Sequence, residues 1–341
     1  MARTITYQQA INEALDQEMA RDATVMLMGE DVAGGEGSPG EEDAWGGVLG
    51  VTKGLKGKYP DRVLDTPISE SSFIGAAAGA ACSGMRPVAE LMFVDFMGVC
   101  FDQIFNQAAK FRYMFGGKAR TPMVIRTMYG AGIRAASQHS QVLYPIFTHI
   151  PGLKVAVPAT PYDAKGLLIA AIRDDDPVIF LENKVLYGAE GEVPEESYVV
   201  PFGEAEFVRE GDDVTVVALG RMVSLASQAA EQLAGDGIEC EIIDPRTTSP
   251  LDLDTIVDSV EHTGRLVVVD ESYPRCGLAG DIVSQVTATA FEHLTAAPQM
   301  VTPPHVPPPF SPSLEDLFVP SVERIVDAVR TSTGGRVAAN A

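Results

Sequence analysis

Short runs of consecutive Val, Ile, Leu and Met recur along the chain, and between them apolar positions return every three or four residues. Uninterrupted apolar runs read as strands buried on both faces, and the wider spacing reads as amphipathic helix. The first half is predicted to hold strands at 24–28, 62–64, 87–91, 122–127, 153–158 and 177–182, with helices at 6–20, 70–83, 98–112, 137–147 and 161–173. A second series follows residue 200, with strands in DVTVVALG, IECEIIDP and RLVVVDES and helices at 222–234, 252–260 and near 278–293. The alternation predicts an α/β fold with mainly parallel sheets. The segment LYGAEGEVPEESYVVPFGE, 186–204, carries Gly, Pro and acids without helical period and reads as a linker between a domain over 1–185 and one over 205–341.

A length of 341 residues accommodates two domains, each with its own core. With 47 acidic against 25 basic residues the formal charge is −22, a field that argues against a nucleic-acid partner. Cys82, Cys100, Cys240 and Cys276 have no metal-ligand or C-x-x-C spacing, and Cys82 and Cys100 read as core thiols in apolar runs. The first twenty-odd residues form an amphipathic acidic helix pattern without the apolar region of a signal peptide. The longest apolar stretch, near 87–101, is broken by Glu90 and Asp95, so no membrane span is expected and a cytoplasmic location is. Gly35, Gly37 and Gly40 have the spacing of a dinucleotide fingerprint. Pro39 and the acids Glu36, Glu41, Glu42 and Asp43 disqualify it, and an acidic loop is expected there.

One carboxylate stands apart. Glu70 lies after the short strand at 62–64 and at the start of a helix of small residues, with Ser69 as the expected N-cap. The helix N-terminus favours its ionised form while burial opposes it. Taken alone, this pattern favours a helix-start acid that satisfies orphan amides over a catalytic group. Two further elements accompany it: an aromatic- and Met-rich unit at 89–119, and SQHSQ at 137–141 behind the glycine-bearing loop MYGAGIRAA.

Together DTPISE, FVDFMG, IRTMYGAG, HIPGLKVAVPATPYDAKGLL, AIRDDDPVIF and GRLVVVDESYPRCG resemble the beta subunit of the thiamine diphosphate-dependent first component of 2-oxo acid dehydrogenase complexes, nearest to the acetoin dehydrogenase type. The resemblance runs from about residue 4 to residue 330. It implies a transketolase-like pyrimidine-binding domain followed by a transketolase C-terminal-like domain.

In that family a carboxyl group hydrogen-bonds N1′ of the aminopyrimidine, so the resemblance gives Glu70 this catalytic role. Ile68, Met92 and Phe96 fall on positions that line the pyrimidine pocket, although Met92 also fits ordinary core filler. His139 falls on the active-site histidine that orients substrate or handles its protons, with a cap or core histidine as the alternative. Met123, Ala171, Ile172, Asp174 and Asp176 fall on a monovalent-cation site, probable ion potassium, although acids before Pro177 also fit a solvated turn.

Gly235-Asp236-Gly237 resembles the start of the family's magnesium motif but joins a helix to a strand, and the only asparagines are Asn12, Asn106, Asn183 and Asn340. The resemblance therefore assigns diphosphate and magnesium to an alpha subunit, with active sites shared in a heterotetramer. The small-residue helix at 75–83 and the segment 103–111 are candidate interface surfaces. A dihydrolipoyl acyltransferase core would receive the acyl group, its basic binding domain docking on the acidic C-terminal domain. The implied reaction is decarboxylation of a short 2-oxo acid or cleavage of acetoin, with acyl transfer to a lipoyl group. The alternatives are a branched-chain 2-oxo acid dehydrogenase beta subunit and a non-catalytic scaffold of the same fold. A single-chain transketolase-like enzyme is disfavoured by the absent magnesium motif.

Overall fold

A computed structural model describes residues 2–34, 46, 47 and 49–334; the glycine-spaced acidic stretch at 35–43 lies outside them. The chain forms two compact units, Met1–Tyr129 with Ile146–Phe202, and Gly130–Pro145 with Gly203–Ala341.

The strands of the first unit are hydrogen-bonded in the order Lys154–Ala156, Val178–Asn183, Val124–Tyr129, Arg86–Phe93, Val25–Gly29, Val63–Asp65, every pair parallel. Strands Val124–Tyr129 and Val178–Asn183 are buried at every position, as expected of a sheet covered on both faces. Helix Tyr7–Arg21 opens with a capping box, in which Thr6 and Gln9 satisfy each other's backbone donors, and buries Ile11, Leu15 and Met19 in the core. It packs against helix Pro161–Arg173, which starts with a Thr160 cap and a proline at its first position.

In the second unit the order is Gln299–Val301, Leu266–Val269, Val214–Ala218, Cys240–Asp244, Glu206–Arg209, parallel except for the last pair. Helix Leu253–Thr263 is capped by Asp252 and closed by Gly264 at φ 71°. The turn Gly235-Asp236-Gly237 does join helix Arg221–Ala234 to the next strand, with Gly237 at φ 78°.

Several elements differ from the sequence expectation. The segment 98–112 is not one helix: Met97–Asp102 leads into a π-helical stretch, Gln103–Ala108, and a short helix, Phe111–Met114. The widening is visible in the bond from Ala109 N to Ile104 O at 3.1 Å, one residue longer than an α-helical bond. The segment 137–147 splits into a 3₁₀ turn, Ser137–His139, and helix Tyr144–Thr148, because Ser140 leaves the helical backbone at φ −137°, ψ 9° and Pro145 has no N–H to donate back to the preceding turn.

The expected linker is partly ordered into the first unit. Glu190–Pro194 pairs antiparallel with Ala2–Thr6, and the buried Lys165 ammonium donates to Pro194 O (2.6 Å), Glu196 O (3.0 Å) and Glu13 Oε1 (2.6 Å). Cys82, expected in a core, is exposed near the end of its helix, whereas Cys100 and Cys240 are buried. No helix among the described residues is long and apolar enough to cross a membrane.

Candidate active site

In open α/β sheets, side chains that act on ligands gather beyond the carboxyl ends of the strands. Three neighbouring strands of the first unit end here in residues of interest: Val25–Gly29 is followed by Glu30, Val63–Asp65 by the turn to Glu70, and Arg86–Phe93 by Phe96. Glu70 is the first residue of helix Glu70–Cys82, as the pattern predicts. Ser69 stands at the N-cap, but its hydroxyl bonds Ser72 Oγ at 2.9 Å instead of a backbone amide. Glu70 is 9% exposed, and its carboxylate takes no hydrogen bond from the described residues. A buried carboxylate without an internal partner is rare and calls for a ligand or a proton.

Met92 is half-buried against the core cluster, and Phe96 meets Phe93 edge-on at 5.6 Å between ring centroids. Burial, and then the Glu70 charge, push the Cys100 thiol up to about 12, so it stays protonated beside the site. Ile68 is 84% exposed. Gly75 faces a neighbour within the chain: a Cβ there would lie 3.2 Å from Gln103 Cγ, which would have to shift by a few tenths of an ångström. The small-residue helix therefore spends part of its stripe on an internal neighbour.

Sequence reasoning missed Glu30. It is buried, its Oε1 has no partner among the described residues, and burial followed by the Glu70 charge raises its carboxyl to about 7. A carboxylate directly after a buried parallel strand is the signal that marks it. Behind it lies a buried ion network. Arg126 reaches Glu90 at 2.8 Å and grips Glu182 through two bonds of 2.7 and 2.9 Å, and Tyr187 donates to Glu182 at 2.7 Å. From this network the Glu90 charge, after those of Glu70 and Asp31, also disfavours ionisation of Glu30.

This has a consequence for stability. A carboxyl ordinarily near 4.5 and held to about 7 in the fold binds a proton that the unfolded chain releases. Between those values stability falls as pH rises, and the deficit is complete above about 7. Glu30→Gln removes it. The variant should match the parent near pH 4.5 and exceed it at pH 8 by about 2–3 kcal/mol. Urea unfolding at both pH values measures the gap, and a gap independent of pH contradicts this assignment.

His139 lies in the second unit, at the end of the 3₁₀ turn Ser137–His139, half-buried, with its amide on Ala136 O at 3.3 Å. It therefore groups with the second unit, whereas Glu70 lies in the first. Its loop is tied down within that unit: Ala131 N donates to Glu271 Oε1 (3.1 Å), Ser137 Oγ to Pro308 O (2.6 Å), and Tyr144 OH to Asp270.

Of the five proposed cation ligands, Ala171, Ile172, Asp174 and Asp176 lie at and just after the C-terminus of helix Pro161–Arg173, and Met123 directly precedes strand Val124–Tyr129. Each already serves a protein donor. Met123 O receives Val178 N, Ala171 O receives Asp174 N, and Arg86 Nη1 bonds the carbonyls of Ile172 (3.0 Å) and Asp174 (2.7 Å). Lys154 pairs with the Asp174 carboxylate and Arg112 with that of Asp176. Three side-chain cations thus meet the charge at this corner, and a monovalent ion would have to share their oxygens. No step of the chemistry runs through it.

Comparison with known proteins adds the following. The family "Transketolase, pyrimidine binding domain" matches residues 3–190, and "Transketolase, C-terminal domain" matches residues 203–325. A Cupriavidus necator protein named acetoin:2,6-dichlorophenolindophenol oxidoreductase subunit beta is 66% identical, covering 98% of this chain and 100% of the relative. A Rickettsia felis protein named pyruvate dehydrogenase E1 component subunit beta is 46% identical, covering 96% of this chain and 97% of the relative. Among solved structures, a split-gene transketolase crystallised as an inactive beta4 tetramer superposes with a TM-score of 0.77 at 22% identity, covering 97% of this chain and 98% of that one. At that identity it speaks for the fold alone.

Proposed function

The chain belongs to the transketolase-like family of acetoin and pyruvate dehydrogenase beta subunits, and from that premise we propose that it is the pyrimidine-binding half of a thiamine diphosphate-dependent dehydrogenase component in the cytoplasm, active only with an alpha subunit. The observation that carries this reading is the buried Glu70 carboxylate, unpartnered among the described residues, at a helix start. Thiamine diphosphate, when bound, supplies the thiazolium ring at which the substrate carbon–carbon bond is cleaved.

The residues present fit its aminopyrimidine. Glu70 holds and moves a proton at N1′, the work of a positioned acid–base group. Glu30, its carboxyl raised to about 7 by burial and then by the Glu70 charge, limits the negative charge beside Glu70 below that pH. Phe96, Met92 and Ile68 offer apolar surface to the ring faces. His139 orients the substrate-derived group and handles its proton.

Exposed Ile68, Val99, Tyr113 and Met114, all in the first unit, are apolar surface of the kind a partner subunit covers. That partner brings the diphosphate and magnesium ligands, which this sequence lacks as a motif. The substrate is acetoin or a short 2-oxo acid, and the acyl group passes to a lipoyl domain of a dihydrolipoyl acyltransferase.

The test is reconstitution with the alpha subunit and comparison of kcat/KM for acetoin, pyruvate and 3-methyl-2-oxobutanoate with an artificial electron acceptor. Acetoin or pyruvate is expected to lead, and the chain alone should show no micromolar, magnesium-dependent cofactor binding. One methylene is worth only about 1–3 kcal/mol, so some overlap is expected. A lead by the branched acid overturns the substrate, and no turnover with any of the three by a correctly assembled complex overturns the function.

A further inference from the structure

The loop that carries His139 has an unusual backbone. Between Gly130 and Ala136, four residues occupy left-handed φ values: Gly130 at 92°, Gly132 at 116°, Arg134 at 62° and Ala136 at 61°. Glycine adopts this region freely, whereas Arg and Ala are strained there and remain only where surrounding contacts over-determine them. The contacts at Arg134 come from the helix Pro312–Phe318. A single atom, Glu315 Oε2, accepts both the Arg134 backbone amide (3.3 Å) and its guanidinium Nη1, while Nη2 pairs with Asp316 at 2.6 Å. The two ends of one strained residue are thus held by one carboxylate.

That carboxylate is committed to the task. The Glu315 side chain is fully buried, and its other oxygen, Oε1, has no partner among the described residues. Arg134 is its only salt-bridge partner among the described residues, so removing that guanidinium leaves a buried carboxylate without its counter-charge there. Two residues after Arg134, the carbonyl of Ala136 accepts the His139 amide and starts the 3₁₀ turn. A cavity of about 430 Å³ lined by Gly132, Arg134, Arg221 and Glu315 leaves the loop room to move when the ion pair is lost.

We propose that Glu315 is a positioning residue for His139: acting through Arg134, it locks the 130–139 loop in the conformation that presents the imidazole to substrate. The proposal rests on the reading of His139 as an active-site group. A misplacement of about 1 Å can lower a rate about a hundredfold, which sets the scale of the effect.

The experiment uses the complex assembled with its alpha subunit and the variants Glu315→Gln, Arg134→Ala, Arg134→Lys, His139→Ala and the double variant Arg134→Ala/His139→Ala. Hydrogen exchange over residues 130–139 is measured beside kcat, KM and cofactor affinity. Arg134→Ala and Glu315→Gln should speed exchange of the loop and lower kcat by roughly 10- to 100-fold, with KM and cofactor affinity nearly unchanged. Arg134→Lys should recover part of the loss. The double variant should be no slower than His139→Ala alone, because the latch acts only through that side chain.

If Glu315→Gln does not fold, Arg134→Ala carries the test, since its side chain is one-third exposed. Parental kcat and exchange in Arg134→Ala, with His139→Ala impaired, overturn the latch and leave the catalytic reading standing. Multiplicative losses in the double variant overturn it as well, because Glu315 and Arg134 then act by another route. Parental turnover in His139→Ala removes the catalytic reading and the positioning role with it, while faster loop exchange in Arg134→Ala would still register the ion pair as structural.

Discussion

Glu70→Gln should assemble normally with the alpha subunit and yet lose turnover by roughly a hundred- to ten-thousand-fold, the range expected when a positioned acid–base group is removed. Glutamine keeps the shape of the side chain and can still hydrogen-bond a ring nitrogen through its amide. It cannot hold a mobile proton between carboxylate and carboxylic acid, so binding survives and proton transfer does not. The substitution is structurally mild because Glu70 makes no hydrogen bond with the described residues, and no internal partner is orphaned. Steady-state kcat, with gel filtration to verify assembly, measures the effect. Parental turnover in the assembled variant would return Glu70 to the part of a helix-start acid.

The second large effect is expected at the other unit. His139→Ala should lower kcat by roughly a hundred- to a thousandfold while cofactor affinity stays within about twofold, because the imidazole acts on the substrate-derived group and not on the pyrimidine. The side chain is half-buried at the end of a 3₁₀ turn, so truncation removes little core and the loop contacts of Ala131 and Ser137 persist. The measurement is cofactor titration by calorimetry beside separate rates for substrate cleavage and lipoyl acylation. Parental rates in both steps would make His139 a structural residue.

Much of this was legible in the residues, and the limits have physical causes. Helices Tyr7–Arg21 and Pro161–Arg173 combine a strong apolar period with local caps, so their starts are written in Thr6, Gln9, Thr160 and Pro161. The buried parallel strands announce themselves as unbroken apolar runs. The segments 98–112 and 137–147 misled because a π-helical stretch and the non-helical backbone at Ser140 leave no mark in periodicity.

Glu70 was readable from its place between a short strand and a small-residue helix, but its chemical role came from resemblance. Glu30 carried only the local signal of a carboxylate after a strand, because its character depends on Glu70 and Glu90, which lie 40 and 60 positions further along the chain. The Arg134–Glu315 pair spans 181 positions and is invisible to any local pattern. The cation ligands were recognised as a cluster, yet Arg86, Lys154 and Arg112 enter that corner from elsewhere in the sequence and answer its charge.

The central claim is that Glu70 governs the proton at the aminopyrimidine, and isotope exchange at the cofactor's C2 position reads that role before any substrate is present. In the assembled complex with saturating thiamine diphosphate and magnesium, quenched-flow exchange into deuterium oxide should be slowed at least about a hundredfold by Glu70→Gln at equal cofactor occupancy. Exchange at the parental rate, with the cofactor fully bound, would contradict the account.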